Sequence, residues 1–191
     1  MSKAPCPVQE PGLLRWNRDY LVVLKLGDDV STDIIYPGRF MATVLPAETP
    51  QYAFADLVDF NTRVKKKEIQ PQSVIVAGRN FGCGSSREQA VSCLKGQDFI
   101  VIARDFARIF LQNSINLGLN TIICPGIEAD EGDELKISAT PRAGTGTTPH
   151  VVNQTTGKIF EIVPLPQARQ AIMEAGGLIP YTRQRLLQTK K

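Results

Sequence analysis

At 191 residues, 42% hydrophobic and 21% charged, the chain suits one globular domain that buries a core without staples. Its 22 basic and 19 acidic residues leave a net charge of +3, too even a balance for a nucleic-acid or membrane-surface binder. The one dense basic run, Arg63 to Lys67, reads as a solvated face.

Residues 1–18 read as an extension whose Trp16 is the first anchor onto the body; residues 19–185 form the domain and 186–191 a tail. DYLVVLKL (19–26) is rich in β-branched residues and predicts a strand closed by the turn Gly27-Asp28-Asp29. Between 46 and 60, Tyr52, Phe54, Ala55, Leu57 and Val58 fit a helical face better than alternation. SVIVAG (73–78) predicts a buried strand, followed by a Gly-rich loop and a helix over about 86–95. DFIVIA (98–103) is a second buried strand, and DFARIFLQNSINLG (105–118) a helix capped by Asp105 and ended by Gly118. TIICP (121–125) completes a βαβαβ unit, hence an α/β fold with a parallel core sheet under covering helices. Additional C-terminal strands follow: a surface strand GDELKIS (132–138), a Gly/Thr/Pro linker at 140–150 and a hairpin turning at Thr156-Gly157. A last helix runs from Gln167 to Ala175 and stops at Gly176-Gly177.

No apolar leader follows the N-terminus, and no stretch approaches the roughly 20 apolar residues of a membrane span. Cys6, Cys83, Cys93 and Cys124 form no C-x-x-C pair, so no metal site is signalled and a cytoplasmic location is expected. The one histidine, His150, falls in the linker and reads as an exposed loop residue, which counts against any histidine-based nucleophile or metal site here.

Chemistry concentrates in GRNFGCGSSRE (78–88). A Gly-rich turn leaving a strand and entering a helix aims backbone N–H groups and the positive helix end at one spot, which binds anions. Arg87 adds a guanidinium matched to a carboxylate, and Ser85 and Ser86 add two hydroxyls. The competing reading is a capping box, with Ser85 as N-cap and Glu88 reaching back. Neither a P-loop nor G-x-G-x-x-G is present. A serine alkoxide stabilised by helix-end amides and Arg87 can take a proton from a carbon beside a carboxylate, but the chain offers no acid or Lewis acid to expel a leaving group.

The segments GDDVSTDIIYPGRF (27–40), GRNFGCGSSRE (78–88), ARDFARIFLQNSINLGL (103–119) and EAGGLIPY (174–181) resemble, in this order, the small subunit of 3-isopropylmalate dehydratase. That family is the detached swivel domain of the aconitase superfamily. The resemblance covers about residues 19 to 185 and implies a single swivelling β/β/α domain. It also implies a hydro-lyase heterodimer of leucine biosynthesis that isomerises 2-isopropylmalate to 3-isopropylmalate. Its large subunit holds a [4Fe-4S] cluster acting as Lewis acid on the substrate hydroxyl, so this chain would bind no cofactor itself. By motif match, Ser85 is similar to the family's base, Asp33 to its catalytic active-site aspartate, Ser86 and Arg87 to its substrate-carboxylate contacts, and Thr32 is expected among the substrate-binding residues. Arg39 is a substrate-loop or interface arginine, with a surface salt bridge equally open. The loop after Pro37 sorts substrates in the family. Here Phe40-Met41-Ala42-Thr43 carries no arginine for the distal carboxylate of homoaconitate, so a branched alkyl group fits Met41 and Ala42 better. Dimethylmalate or another branched malate is the alternative. Gln89 stands where members commonly carry histidine, and Cys83 reads as a packing residue. Self-association of the isolated chain stays open. Two other classes remain beside this one, a stand-alone anion- or nucleotide-binding module and an RNA-binding regulator, the latter disfavoured by the near-neutral charge.

Overall fold

A computed structural model describes residues 14, 16–138 and 149–189. Expectations for Cys6 and for linker residues 140–148 lie outside them.

Four strands run parallel: β1 (Arg18–Lys25), β2 (Val74–Ala77), β3 (Ile100–Ala103) and β4 (Thr121–Ile123). β5 (Glu134–Ile137), β6 (His150–Asn153) and β7 (Ile159–Glu161) continue antiparallel from the other side of β1, in the order β4-β3-β2-β1-β5-β6-β7. Every residue of β2 and β3 is buried, as the continuous apolar runs require of strands covered on both faces. Beyond β7, Val163 N donates to Ile123 O at 2.8 Å, so the two ends of the sheet meet.

Two apolar layers follow from this curl. Tyr20, Val22, Val76, Ile102, Leu135 and Val151 fill the inner one, with Trp16 half-buried against them as the expected anchor. The outer face of the parallel half is covered by α2 (Val58–Lys65), α3 (Glu88–Gly96) and α4 (Arg108–Leu117), through Phe60, Leu94 and Phe110 packed on Val23, Ile75 and Val101. Each such buried side chain contributes about 1.5–3 kcal/mol relative to exposure. The α/β expectation, with its β/β/α layering and βαβαβ parallel core, holds.

Five local expectations are corrected. Residues 46–60 do not form one helix: a 3-10 turn at Thr49–Tyr52 is broken at Phe54, whose φ is +50°, and α2 starts only at Val58 and carries the basic run to its exposed end. Of the expected face only Phe54 is buried; Tyr52, Ala55 and Leu57 are half-buried and Val58 is exposed, while the core here is filled by Ala53, Phe54 and Phe60. Asp105 is not the cap of α4: the N-cap is Ala107, without a side-chain bond. β5 is not a surface strand, since it lies between β1 and β6 with Leu135 and Ile137 fully buried. His150 is no exposed loop residue but the half-buried start of β6, opposite Glu161. Finally, the chain does not end its helices at Gly176-Gly177. After α5 (Gln167–Glu174) a further helix, α6 (Leu178–Thr189), crosses the 185/186 boundary drawn from the sequence.

Lys95, at the end of α3, ties these helices together: its ammonium donates to Gly176 O at 3.0 Å and to Leu117 O. A cation suits these carbonyl-rich helix ends, although burial lowers its pKa. Among the described residues no helix is long and apolar enough to cross a membrane.

Candidate active site at the ends of the parallel strands

Open α/β sheets receive ligands outside the carboxyl ends of their strands. Here the segments leaving β1, β2 and β3 stay paired past those ends. Gly82 N donates to Val30 O at 2.8 Å, Thr32 N to Cys83 O at 2.8 Å and Ala107 N to Phe81 O at 2.9 Å. Two carboxylates brace the loop from outside: Asp28 Oδ1 accepts from Arg79 N at 2.7 Å, and Asp105 Oδ1 from Asn80 N at 2.6 Å. Asp105 therefore serves the loop rather than α4.

Gly82 is what allows the loop to lie so close to α4. Its φ is +80°, and a Cβ built there would lie 2.1 Å from the Phe110 ring. A left-handed backbone costs an L-residue about 1–2 kcal/mol and overpacking about 1–3 kcal/mol more. Gly82→Ala is therefore expected to destabilise the chain by roughly 3 kcal/mol in urea unfolding. A loss below about 1 kcal/mol would contradict this packing.

The short helix α1 (Thr32–Ile35) forms because Ser31 caps it, its Oγ accepting from Asp33 N at 3.1 Å. Thr32 is buried, and its hydroxyl donates to Ser85 O at 3.1 Å, so it fixes the loop's backbone. Asp33 is exposed and pairs with the NH1 nitrogen of Arg87, whose side chain is only 17% exposed. That same nitrogen lies 3.5 Å from Tyr36 O. Tyr36 is fully buried, and its hydroxyl donates to Phe40 O at 3.1 Å and reaches Thr43 O at 3.4 Å, holding the loop after Pro37. Burial raises the pKa of its phenol.

Ser85 and Ser86 are exposed, and the capping box is not formed. The N-cap of α3 is Arg87, with φ −66° and ψ 115°, and no side chain bonds to the helix start. Its first amides thus lack intrahelical acceptors and point back toward residues 85–87. Asn113 of α4 closes the other side, Nδ2 donating to Ser86 O at 3.4 Å.

The structure brings Thr32, Asp33, Ser85, Ser86 and Arg87 into one cluster. Arg39 is turned elsewhere: its guanidinium is held by both oxygens of Asp56 and lies 4.7 Å from the Phe40 ring centroid. Of the two readings of Arg39, the surface salt bridge is the one formed. Phe40 stacks on Tyr52 at 4.2 Å, while Met41 is half-buried and Ala42 exposed. Tyr36, Gly38 and Asn113 are the neighbours that sequence reasoning did not single out, although all three lie in segments that carry the family resemblance.

Cys83 is half-buried; Cys93 and Cys124 are buried thiols whose pKa values burial raises, that of Cys124 to about 12. Among the described residues no three His, Cys, Asp or Glu side chains converge on a common point.

An aconitase C-terminal domain family matches residues 30–125, which span the whole cluster. A 3-isopropylmalate dehydratase small subunit from Methanosarcina mazei is 41% identical over 162 residues, covering 83% of this chain and 93% of its own. The isopropylmalate/citramalate isomerase small subunit of Methanocaldococcus jannaschii is 40% identical over 172 residues, covering 88% of this chain and 95% of its own. The crystal structure of 3-isopropylmalate dehydratase from Methanocaldococcus jannaschii is similar at a TM-score of 0.75 and 37% identity, over 90% of this chain and 97% of that one. The fold is of the aconitase C-terminal type. Within that class, the chain belongs to the family of 3-isopropylmalate dehydratase small subunits.

Proposed function

We propose that this chain is the small subunit of a two-subunit hydro-lyase, inactive alone, that interconverts 2-isopropylmalate and 3-isopropylmalate by dehydration and rehydration. The observation that carries the reading is the uncapped start of α3, with Ser85 and Ser86 exposed beside the Arg87 guanidinium. Two negative charges are called for there: a substrate carboxylate and a serine alkoxide. The free amides and Arg87 stabilise both. Ser85 Oγ takes the proton from the carbon next to the carboxylate and returns one on rehydration. Arg87 and Ser86 hold the carboxylate, Asp33 orients Arg87, and Thr32 keeps the Ser85 backbone in place. The apolar Met41 and Ala42 face the alkyl branch, with Arg39 occupied by Asp56 and so withdrawn from substrate.

Departure of the hydroxyl falls in this scheme to the large subunit, for which the family resemblance implies a [4Fe-4S] cluster. Exposed Ile34, Val44, Leu45 and Ile109 lie near the site in sequence and offer apolar surface that supports an association with that partner. The name of the Methanocaldococcus isomerase subunit favours a second reading, in which a methyl-branched malate is also a substrate.

Co-expression with the large subunit and assay against a panel of branched malates tests both. Turnover of 2-isopropylmalate is expected only when both chains are present; faster turnover of citramalate would select the second reading. Binding of inorganic phosphate by the isolated chain, with no partner-dependent turnover of any malate, would instead make it a stand-alone anion-binding module.

A further inference from the structure

Gly38 opens a 3-10 turn at Gly38–Phe40, and nothing in its backbone calls for glycine. Its φ is not in the left-handed region, unlike those of Gly82 and Gly84 in the loop opposite. Space does not call for it either. A Cβ built at Gly38 would sit 3.5 Å from Asp33 Oδ1 and 3.6 Å from the NH2 nitrogen of Arg87, ordinary contact distances that need no shift. Glycine at such a position costs backbone entropy relative to alanine and returns no packing. The residue is also exposed, so the missing side chain leaves open space rather than a filled cradle.

That open space lies against one part of the guanidinium. The NH1 nitrogen of Arg87 is already engaged by Asp33 and lies near Tyr36 O. The NH2 nitrogen faces Gly38 and takes part in no hydrogen bond to a described residue. A planar guanidinium with one nitrogen spent on an internal carboxylate has its neighbouring nitrogen left to offer an incoming one. Glycine is the residue that lets a ligand approach a fixed donor closely.

We infer that Gly38 is a substrate-access residue: its missing side chain keeps the approach to the Arg87 NH2 nitrogen open for the substrate carboxylate. The inference rests on the proposed carboxylate-binding role of Arg87 and extends it from the donor to the path by which the donor is reached. A methyl at position 38 would cover that nitrogen without disturbing the fold, and a larger side chain would cover it more fully.

The test uses Gly38→Ala and Gly38→Val small subunits reconstituted with the large subunit, with 2-isopropylmalate as substrate and Arg87→Lys as a parallel arm. Gly38→Ala is expected to keep or raise the thermal midpoint of the isolated chain. It should raise KM about tenfold, the equivalent of one weakened charge-assisted hydrogen bond, with kcat changed far less. Gly38→Val should raise KM further. Unchanged KM in both variants, while Arg87→Lys loses affinity, overturns the role of Gly38 alone. A lowered midpoint in Gly38→Ala overturns it too, because the glycine would then be serving the fold. Normal KM in Arg87→Lys overturns the carboxylate reading beneath it.

Discussion

Replacing Ser85 with alanine is expected to lower kcat of the reconstituted enzyme about 10²–10⁴-fold, the range a positioned general base contributes. The Ser85 hydroxyl is exposed and makes no hydrogen bond to a described residue, so the change should leave stability within about 0.5 kcal/mol of the parent. KM should move little, because the carboxylate is held by Arg87 and Ser86 in this scheme, and a group acting only in the transition state affects kcat and kcat/KM together. The Ser85 backbone is also held in place. Its carbonyl accepts from the buried Thr32 hydroxyl at 3.1 Å, and Thr32 N is itself bonded to Cys83 O. Steady-state kinetics of the Ser85→Ala complex decide the matter: a kcat within tenfold of the parent would remove Ser85 from the role of base.

Much of this arrangement is legible in the chain, because its strongest signals are local. Buried parallel strands read as unbroken apolar runs, and β2 and β3 do so here. The left-handed end of α4 at Gly118, φ +73°, follows from the same rule that finds glycine after a helix. The Gly-rich loop marks the site because close approach of a backbone needs glycine. The rest fails where tertiary contacts choose between locally equal options. Phe54 adopts a positive φ because its N–H bonds to Ile35 O at 2.8 Å and its ring is fully buried, neither of which is visible in the spacing of apolar residues. Serine at position 85 and glutamate at 88 satisfy the pattern of a capping box, yet the loop's pairing with residues 30–32 holds position 85 two residues before the N-cap. Gly176-Gly177 reads as the last helix stop, but the chain enters α6 directly after it, and Pro180 sits in the first turn, where its missing N–H costs nothing. β5 reads as a surface strand because its alternation is half polar, and only the pairing with both β1 and β6 puts Leu135 and Ile137 inside.

The same distinction separates the candidate residues. Those carried by the loop and α1 converge, since both segments extend the parallel ladder. Arg39 does not, because a carboxylate seventeen residues away, on Asp56, engages it in a two-point pair. No feature of 37–43 alone distinguishes these outcomes.

Arg87→Lys is expected to lower kcat/KM about 10–100-fold, mostly through KM, at little cost in stability. The guanidinium is held on one side by Asp33 and Tyr36 O and presents its other nitrogen past Gly38, so one side chain serves an internal and an external partner at once. An ammonium on a flexible stem is a point charge and lacks the fork to do both. Losing one hydrogen bond to a charged group is worth about 1.5–3 kcal/mol, which sets the expected range. Folding should suffer far less: Asp33 is 56% exposed, and pairs with one partner in water contribute about 0–1 kcal/mol. The informative comparison is Asp33→Asn, which frees the guanidinium without removing it. If Asp33 orients Arg87, the two substitutions should couple in a double-mutant cycle on kcat/KM, by about 0.5–3 kcal/mol for residues in contact. Additive effects would leave Asp33 a bystander that the substrate displaces. An unchanged KM in Arg87→Lys would take the carboxylate away from this end of α3 altogether, leaving the exposed serines without a partner for the anion that the helix start is built to receive.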